Sequence, residues 1–252
     1  VHSMLIERLP QTWDPDTWQG MVGAVITDQW ASLTENMQAI LLVCELKGIS
    51  TWVDTKSLLG EWSQSATVVK INAKEYAAQF TAENLEYLSI ADNAALSMGD
   101  VDFEAGIWVY LDTTPASGAT MGISGKWASL DLEYRLYVDN TGGTIRFKFD
   151  TRNTADDTTT TVTATTFGAP SATTWYWVMV YHDSTTNLIG IAVNDGTYDT
   201  AATTGGVRNG TAAFEIGRHT AGSYLNGRGQ KVFITKDVLT AAERTWLYNS
   251  GN

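Results

Sequence analysis

The stretch DLEYRLYVDNTGGTIRFKFD, residues 131–150, decides the fold class. In each half, apolar residues occupy every second position, which places them on one face of an extended strand. These positions are Leu132, Tyr134, Leu136 and Val138, then Ile145, Phe147 and Phe149. Polar residues and Tyr137 lie between them, and the turn-forming residues DNTGG join the two halves. The stretch predicts an antiparallel hairpin with one buried and one solvated face, on which Glu133 can meet Arg146 or Lys148.

Further strand patterns follow residue 76. FEAGIWVYL (103–111) alternates between an apolar and a mixed face, and TTWYWVMVYHD (173–183) is apolar on both faces, as expected for a central strand. NLIGIAVNDGTYDT (187–200) places an Asp-Gly turn between two strand-like runs. Many short strands joined by Gly-rich turns predict a mainly β protein, an antiparallel jelly-roll β-sandwich.

Helices are predicted near both ends of the chain. Thr240 and Glu243 form a capping box before a short C-terminal helix over about residues 241–248. Residues 1–75 contain five of the ten Trp residues and one amphipathic helix, over about residues 29–47, with apolar residues at spacings of three and four. Its apolar stripe comprises Trp30, Leu33, Met37, Ile40 and Cys44. That stripe packs either on its own domain or against another subunit.

The composition excludes several classes of partner. The net charge is −12, with 16 Lys+Arg against 28 Asp+Glu and no basic cluster, so we expect no nucleic-acid partner. The longest dense apolar run, about residues 39–44, is far shorter than the roughly 20 residues of a membrane span, so we expect no membrane insertion. The single cysteine, Cys44, excludes an intrachain disulfide and does not fix the compartment.

Five segments, in order along the chain, carry a family resemblance. They are AAQFTAENLEYLSIADNAALSMG (77–99), DFEAGIWVYLD (102–112), TWYWVMVYHDSTTNLIGIAVNDG (174–196), FEIGRH (214–219) and VLTAAERTWLYNSG (238–251). Over residues 76–249 the chain resembles the laminin-G-like, concanavalin-A-like lectin jelly-roll family, in the form found in bacteriophage and secreted bacterial surface proteins. The resemblance implies a jelly-roll domain over residues 76–252. Residues 1–75 lie outside it, and we expect this segment to anchor or assemble the protein.

The residue patterns needed for catalysis are not recognisable. A jelly-roll glycosidase needs two carboxylates, about 5 to 5.5 Å apart in the retaining mechanism. Asp131 and Glu133 point the same way on one strand, but Arg135 follows them and no third acid does. The sequence contains neither a G-x-S-x-G serine motif nor a Cys/His zinc pattern. It therefore predicts a protein that is not an enzyme.

Two kinds of binding site are considered. The resemblance implies a calcium ion at the rim of the sandwich, where Asp92 and Asn93 match a turn that contributes ligands; the alternative is that both residues only form the turn. An exposed aromatic platform with polar neighbours is typical of glycan sites. The candidate glycan-binding residues are Trp127, Tyr137, Arg218, His219 and Tyr224, each of which can instead serve packing.

These features favour a non-enzymatic surface structural protein, with a virion component as the leading hypothesis. A phage capsid-decoration, fibre or tail protein would display the jelly roll and bind other virion or surface subunits, as a homo-oligomer. The alternative is a secreted adhesion module that binds host-surface glycans, and a glycoside hydrolase is disfavoured by the missing carboxylates. Both favoured hypotheses place the protein on the virion surface or outside the cell.

Overall fold

The computed structural model describes the backbone of strands at residues 37–41, 52–53, 61–64 and 69–72, and the chain over residues 76–128 and 131–249, with side chains from residue 77. The described strands, numbered along the chain, form two eight-stranded sheets and a two-stranded ribbon. The first sheet has the order β14-β13-β12-β7-β18-β5-β4, and β1 also pairs with β18. Its strands are β1 Met37–Leu41, β4 Val69–Asn72, β5 Tyr76–Phe80, β7 Phe103–Leu111, β12 Thr174–Asp183, β13 Leu188–Val193, β14 Asp199–Ala202 and β18 Gly227–Thr235.

The second sheet has the order β11-β10-β9-β8-β15-β6-β3-β2. Its strands are β2 Trp52–Val53, β3 Glu61–Gln64, β6 Leu88–Ile90, β8 Thr120–Ala128, β9 Asp131–Asp139, β10 Arg146–Arg152, β11 Thr159–Thr163 and β15 Phe214–Ile216. The ribbon consists of β16 (Arg218–Thr220) and β17 (Ser223–Tyr224), and the C-terminal helix α1 spans Ala241–Asn249. This is the antiparallel sandwich with a short C-terminal helix that the sequence predicted.

The hydrophobic core lies between the two sheets. The predicted alternation is confirmed, because Phe103 and Val109 of β7 and Phe147 and Phe149 of β10 are all buried in one cluster. β12 is buried on both faces, as its continuous apolar sequence predicted, and its Trp177 stacks on Phe233 away from that cluster, with 5.8 Å between ring centroids. Burial of such large side chains contributes about 1.5 to 3 kcal/mol each.

Local sequence signals also predict the turns and the helix correctly. β9 and β10 pair as the predicted hairpin. β13 and β14 pair across the Asp-Gly turn, where Gly196 N donates to Val193 O over 3.1 Å. The capping box forms before α1, since Thr240 N donates to Glu243 Oε2 over 2.8 Å.

The second face of the β9–β10 hairpin is largely covered rather than solvated, so this prediction is wrong. Tyr137, which lies on this face, is only 5% exposed. The ribbon lies over this face, because a Cβ atom at Gly122 of β8 would overlap the backbone of His219. Glu133 does not lie on this face. The β8–β9 register shifts so that Lys126 pairs with Tyr134 and Trp127 with Leu132, which makes Glu133 the extra residue of a β-bulge. It binds Lys126 over 2.9 Å rather than a basic residue of β10. Period two shows that two faces differ, and it does not show what covers the second one.

The predicted helix over about residues 29–47 is wrong at Met37–Leu41, which form β1 and pair antiparallel with β18. A short, nearly continuous apolar run such as MQAILLV does not distinguish helix from strand by periodicity, and the open edge of β18 supplies backbone partners. Trp30, Leu33 and Cys44 lie outside the described residues, and the side chains of Met37 and Ile40 are also not described. Their role in assembly remains a prediction.

Strands before residue 76 belong to the sheets of the sandwich. β4 pairs with β5, β3 pairs with β6, and Asn36–Asn252 form one compact unit. The sandwich therefore extends N-terminally beyond the boundary expected at residues 75 and 76. Strands β2 and β3 fall in the segment ISTWVDTKSLLGEWS, which precedes the family resemblance.

Candidate functional site

Arg135, Gly125 and Glu215 lie side by side in one row across the second sheet. Directly paired residues point to the same side of a sheet, so both charged side chains project from the outer face, away from the core. Gly125 has φ +153°, and a Cβ atom there would lie 2.7 Å from Arg135 Cα. The row therefore places two charged groups on either side of a residue that has no side chain.

Arg135 is held between two aromatic rings at one end of this row. Its guanidinium carbon lies 4.4 Å from the ring centroid of Trp127 and 4.5 Å from that of Tyr137. The guanidinium also binds the buried Asp150, with Nε donating to Oδ2 over 2.8 Å. Burial raises the pKa of Tyr137, so its hydroxyl stays protonated and donates to Asp150 Oδ1 over 3.2 Å. These contacts fix the orientation of Arg135.

His219 of the ribbon supports Arg135 from within the protein. It is 1% exposed, and burial together with the Arg135 charge lowers its pKa to about 3. The imidazole is therefore neutral at pH 7. Its Nδ1 accepts from Arg135 Nη1 over 3.3 Å, which leaves the Nε2 proton directed at Thr120 Oγ1, 3.5 Å away.

Arg218 forms a second cluster at the other end of the row. Its Nε donates to Glu215 Oε2 over 2.8 Å, and its Nη2 forms an ion pair with Glu215 Oε1. Its guanidinium carbon lies 3.7 Å from the ring centroid of Tyr87. Its Nη1 donates to the Tyr224 hydroxyl over 3.4 Å. A guanidinium with an aromatic face on one side and a bidentate carboxylate at its edge is rigidly placed.

The two clusters form what we call the ribbon surface. It comprises the half-buried side chains of Tyr87, Trp127, Arg135, Arg218 and Tyr224, which surround the buried Gly125. The structure thus brings the predicted candidates Arg218 and Tyr224 together, and it places Trp127 in the other cluster, against Arg135. Tyr137 and His219 are buried, so they position Arg135 rather than offer a contact surface.

Four members of the two clusters were not among the predicted site residues. One of them, Glu215, lies three residues before Arg218 in the chain. Arg135 and Asp150 face each other in the β9–β10 hairpin, and their register could have identified the pair. Tyr87 precedes β6, far along the chain from Arg218. No local signal in the sequence indicates that contact.

The expected calcium ligands do not fit a calcium ion in this chain. Asp92 Oδ1 accepts from Lys126 Nζ over 2.6 Å, so an ammonium group already stands where a cation would bind. Asn93 Oδ1 accepts from Ala95 N over 2.9 Å, which is the turn-forming role. Among the described residues, no group of three or more His, Cys, Asp or Glu side chains could hold a metal ion.

The acidic pair considered for glycoside hydrolysis has other partners. Asp131 Oδ2 accepts from Thr211 N over 2.6 Å. Glu133 is buried, pairs with Lys126 and accepts from Gly210 N over 3.1 Å. A carboxylate that is buried and held by its neighbours cannot flank a glycosidic bond in solvent.

A cleft of about 340 Å³ lies between α1 and the loop after β13. At its side, Arg244 Nε lies 2.9 Å from Glu104 Oε1, and the Tyr198 hydroxyl donates to the same oxygen over 2.7 Å. Leu239 N donates to Glu104 Oε2 over 2.7 Å. Burial raises the pKa of Glu104 to about 6. These contacts anchor α1 to the first sheet, and we assign Glu104 that structural role.

No helix in the described part of the chain has the length and hydropathy to cross a membrane.

Comparisons with solved structures find lectin-like binding domains. The binding domain of Paraclostridial mosquitocidal protein 1 superposes with a TM-score of 0.70 at 10% identity, over 87% of this chain and 53% of that domain. A second similar structure is that of botulinum neurotoxin type C, a toxin whose cell entry depends on interaction with two ganglioside molecules. It gives a TM-score of 0.68 at 14% sequence identity, over 89% of this chain and 53% of that chain. This chain spans about half the length of those toxin chains.

A third similar structure is domain 4 of AbnA, a GH43 extracellular arabinanase from Geobacillus stearothermophilus, in complex with arabinotriose. It gives a TM-score of 0.64 at 14% identity, over 84% of this chain and 98% of that domain. No curated protein sequence matches the chain. The Laminin_G_3 family model matches residues 83–243, well over half of the 252 residues. The resemblance is thereby confirmed, and the chain belongs to the concanavalin A-like lectin/glucanases superfamily.

Proposed function

We propose that this chain is a non-catalytic carbohydrate-binding domain that holds a neutral oligosaccharide on the ribbon surface. The main observation in support is the row Arg135–Gly125–Glu215 across the second sheet. At each end of this row a fixed guanidinium group packs on an aromatic ring, and the central residue has no side chain. Aromatic rings bind the apolar faces of sugars, and fixed hydrogen-bonding groups select hydroxyl positions.

The charges of the ribbon surface favour a neutral ligand over an anionic one. Arg135 is paired with Asp150 and Arg218 with Glu215, so each guanidinium is neutralised by its own carboxylate. The whole chain carries a net charge of −12, which also repels anions. Arabinotriose, the ligand of the similar arabinanase domain, is a neutral saccharide and supports this class. Gangliosides, on which entry of the type C neurotoxin depends, represent the anionic alternative.

The biological setting belongs to the same proposal. A carbohydrate-binding domain of this family acts where glycans are displayed, so we infer a location outside the cell or on a particle surface. The virion hypothesis is a finer version of that location, with other virion subunits as partners and a homo-oligomer as the assembly. It rests on residues 1–75, most of which lie outside the described residues.

A glycan array that contains neutral and sialylated oligosaccharides tests the proposal, followed by calorimetry on each hit. We expect binding to neutral oligosaccharides, and at least about a tenfold loss of affinity, near 1.4 kcal/mol, in Trp127→Ala and Tyr224→Ala. Trp175→Ala is the matched control, because Trp175 is also half-buried, packs on Tyr110 at 5.3 Å and lies on the other sheet.

Three outcomes would count against the proposal. The first is that the wild-type protein binds no glycan, and the second is that it binds sialylated glycans alone. The third is that Trp175→Ala loses binding while Trp127→Ala retains it. Melting temperatures of all variants show whether a loss of binding reflects a loss of folding.

A further inference from the structure

Lys126 carries a fully buried ammonium group inside a cage of oxygen atoms. Its Nζ lies 2.6 Å from Asp92 Oδ1, 2.7 Å from Ser97 Oγ, 2.9 Å from Glu133 Oε2 and 3.0 Å from Gly210 O. An ammonium group has three protons, so three of these contacts are hydrogen bonds and the contact with Glu133 is an ion pair. Two carboxylates, a hydroxyl and a carbonyl form the kind of oxygen set that binds hard cations.

The cage is complete without any bound ion. Glu133 Oε1 accepts from Met98 N over 2.6 Å, and its Oε2 accepts from Gly210 N over 3.1 Å. The side chain of Asp92 is 32% exposed, so the cage reaches solvent on that side.

The same cage joins distant parts of the chain. Asp92 and Ser97 belong to the segment after β6, and Gly210 belongs to the segment before β15. Lys126 on β8 and Glu133 on β9 bind both segments to the second sheet. Any cation held at this point would have the same effect on these segments.

We propose that Lys126 is a built-in cation that replaces a bound divalent metal ion, and that its removal converts the cage into a calcium site. In the wild-type protein the ammonium excludes the metal. Without it, Asp92 and Glu133 face each other with no positive charge between them, and a calcium ion with water ligands can take its place. The oxygen atoms need to move by only a few tenths of an ångström, since calcium–oxygen distances are about 2.3 to 2.6 Å.

Thermal unfolding of the full chain in EDTA and in millimolar calcium tests this proposal on two matched variants. Lys126→Ala removes the charge and leaves space, whereas Lys126→Met removes the charge and fills the space. We expect calcium to leave the melting temperature of the wild type and of Lys126→Met unchanged. For Lys126→Ala in EDTA we expect a lower melting temperature than that of the wild type. Calcium should raise the melting temperature of this variant by roughly 5–10 °C, the shift expected when the calcium concentration is about a hundred times Kd.

Magnesium is the ion control, because it requires shorter distances and stricter octahedral geometry, and we expect a smaller rise with it. A wild-type melting temperature that rises in calcium would overturn the proposal. The proposal would also be overturned if Lys126→Ala had the same melting temperature in EDTA as in calcium, or if it stayed unfolded in both. If this variant folds only when calcium is present, as judged by circular dichroism, the proposal is supported.

Discussion

Lowering the pH from 7 to 5 is expected to remove about 2 kcal/mol of folding stability through His219 alone. Burial, and after it the Arg135 charge, lowers the pKa of this imidazole to about 3 from 6.5. Between these values the unfolded chain binds a proton that the folded chain does not, so stability is lost as the pH falls. Each pH unit below 6.5 costs about 1.4 kcal/mol, which gives about 2 kcal/mol at pH 5.

Urea unfolding at pH 5, 6, 7 and 8, followed by tryptophan fluorescence, measures this effect in the wild type and in His219→Gln. Glutamine keeps an acceptor for Arg135 and a donor for Thr120, but it does not titrate. We expect the free energy of unfolding of the wild type to fall by about 2 kcal/mol more than that of the variant between pH 7 and 5. Glu104, with its pKa raised to about 6, gives an opposite slope that is common to both proteins and cancels in the difference.

Parallel pH profiles of the two proteins would refute the reasoning, because His219 would then bind its proton equally well in the folded and unfolded states. NMR titration provides an independent readout. The His219 imidazole signal can be identified because it is missing from the spectrum of His219→Gln, and its chemical shift should not change between pH 8 and 4. Arg135→Met should raise the pKa of His219 only in part, since burial is the larger cause.

Three further predictions concern the ribbon, catalysis and assembly. Gly122→Ala should lower stability by about 1 to 3 kcal/mol in urea unfolding and weaken glycan binding, because the added Cβ overlaps the backbone of His219; unchanged stability would show that the ribbon is not packed there. No reducing sugar should be released from β-glucans, galactans or arabinans, and release that Glu133→Gln abolishes would contradict the assignment of Glu133 to the cage. Deletion of residues 1–35, which spares β1, should leave a folded protein with less self-association by light scattering; a wild type that is monomeric contradicts this.

The sequence predicted those parts of the fold that depend on neighbours along the chain. The β9–β10 hairpin, the turn at Gly196 and the capping box before α1 each arise within some 20 residues, where alternation and turn chemistry act directly. β1 was mistaken for a helix because its partner, β18, lies almost 200 residues further along the chain. A strand whose hydrogen bonds are all made at such a distance leaves little local trace.

The candidate site shows the same division between local and distant contacts. Trp127, Arg218 and Tyr224 were identifiable as aromatic or cationic residues in polar surroundings. The contact of Arg218 with Tyr87 and the burial of Lys126 by Asp92 and Gly210 arise only when segments far apart in the chain meet. Residue type therefore indicated which side chains were candidates for binding, whereas the three-dimensional packing decides which of them are accessible.

If the ribbon surface binds a saccharide as proposed, the covered second face of β9 makes it better suited to binding than an ordinary solvated sheet face. A solvated face would expose Arg135 and Tyr137 as flexible or isolated groups. Here, Tyr137 and His219 hold Arg135 from below. Because those partners are buried, the half-buried guanidinium would have little conformational entropy left to lose when the proposed saccharide binds. The burial that contradicted the sequence-based expectation is thus the same feature that, under the proposed function, preorganises Arg135 for a ligand.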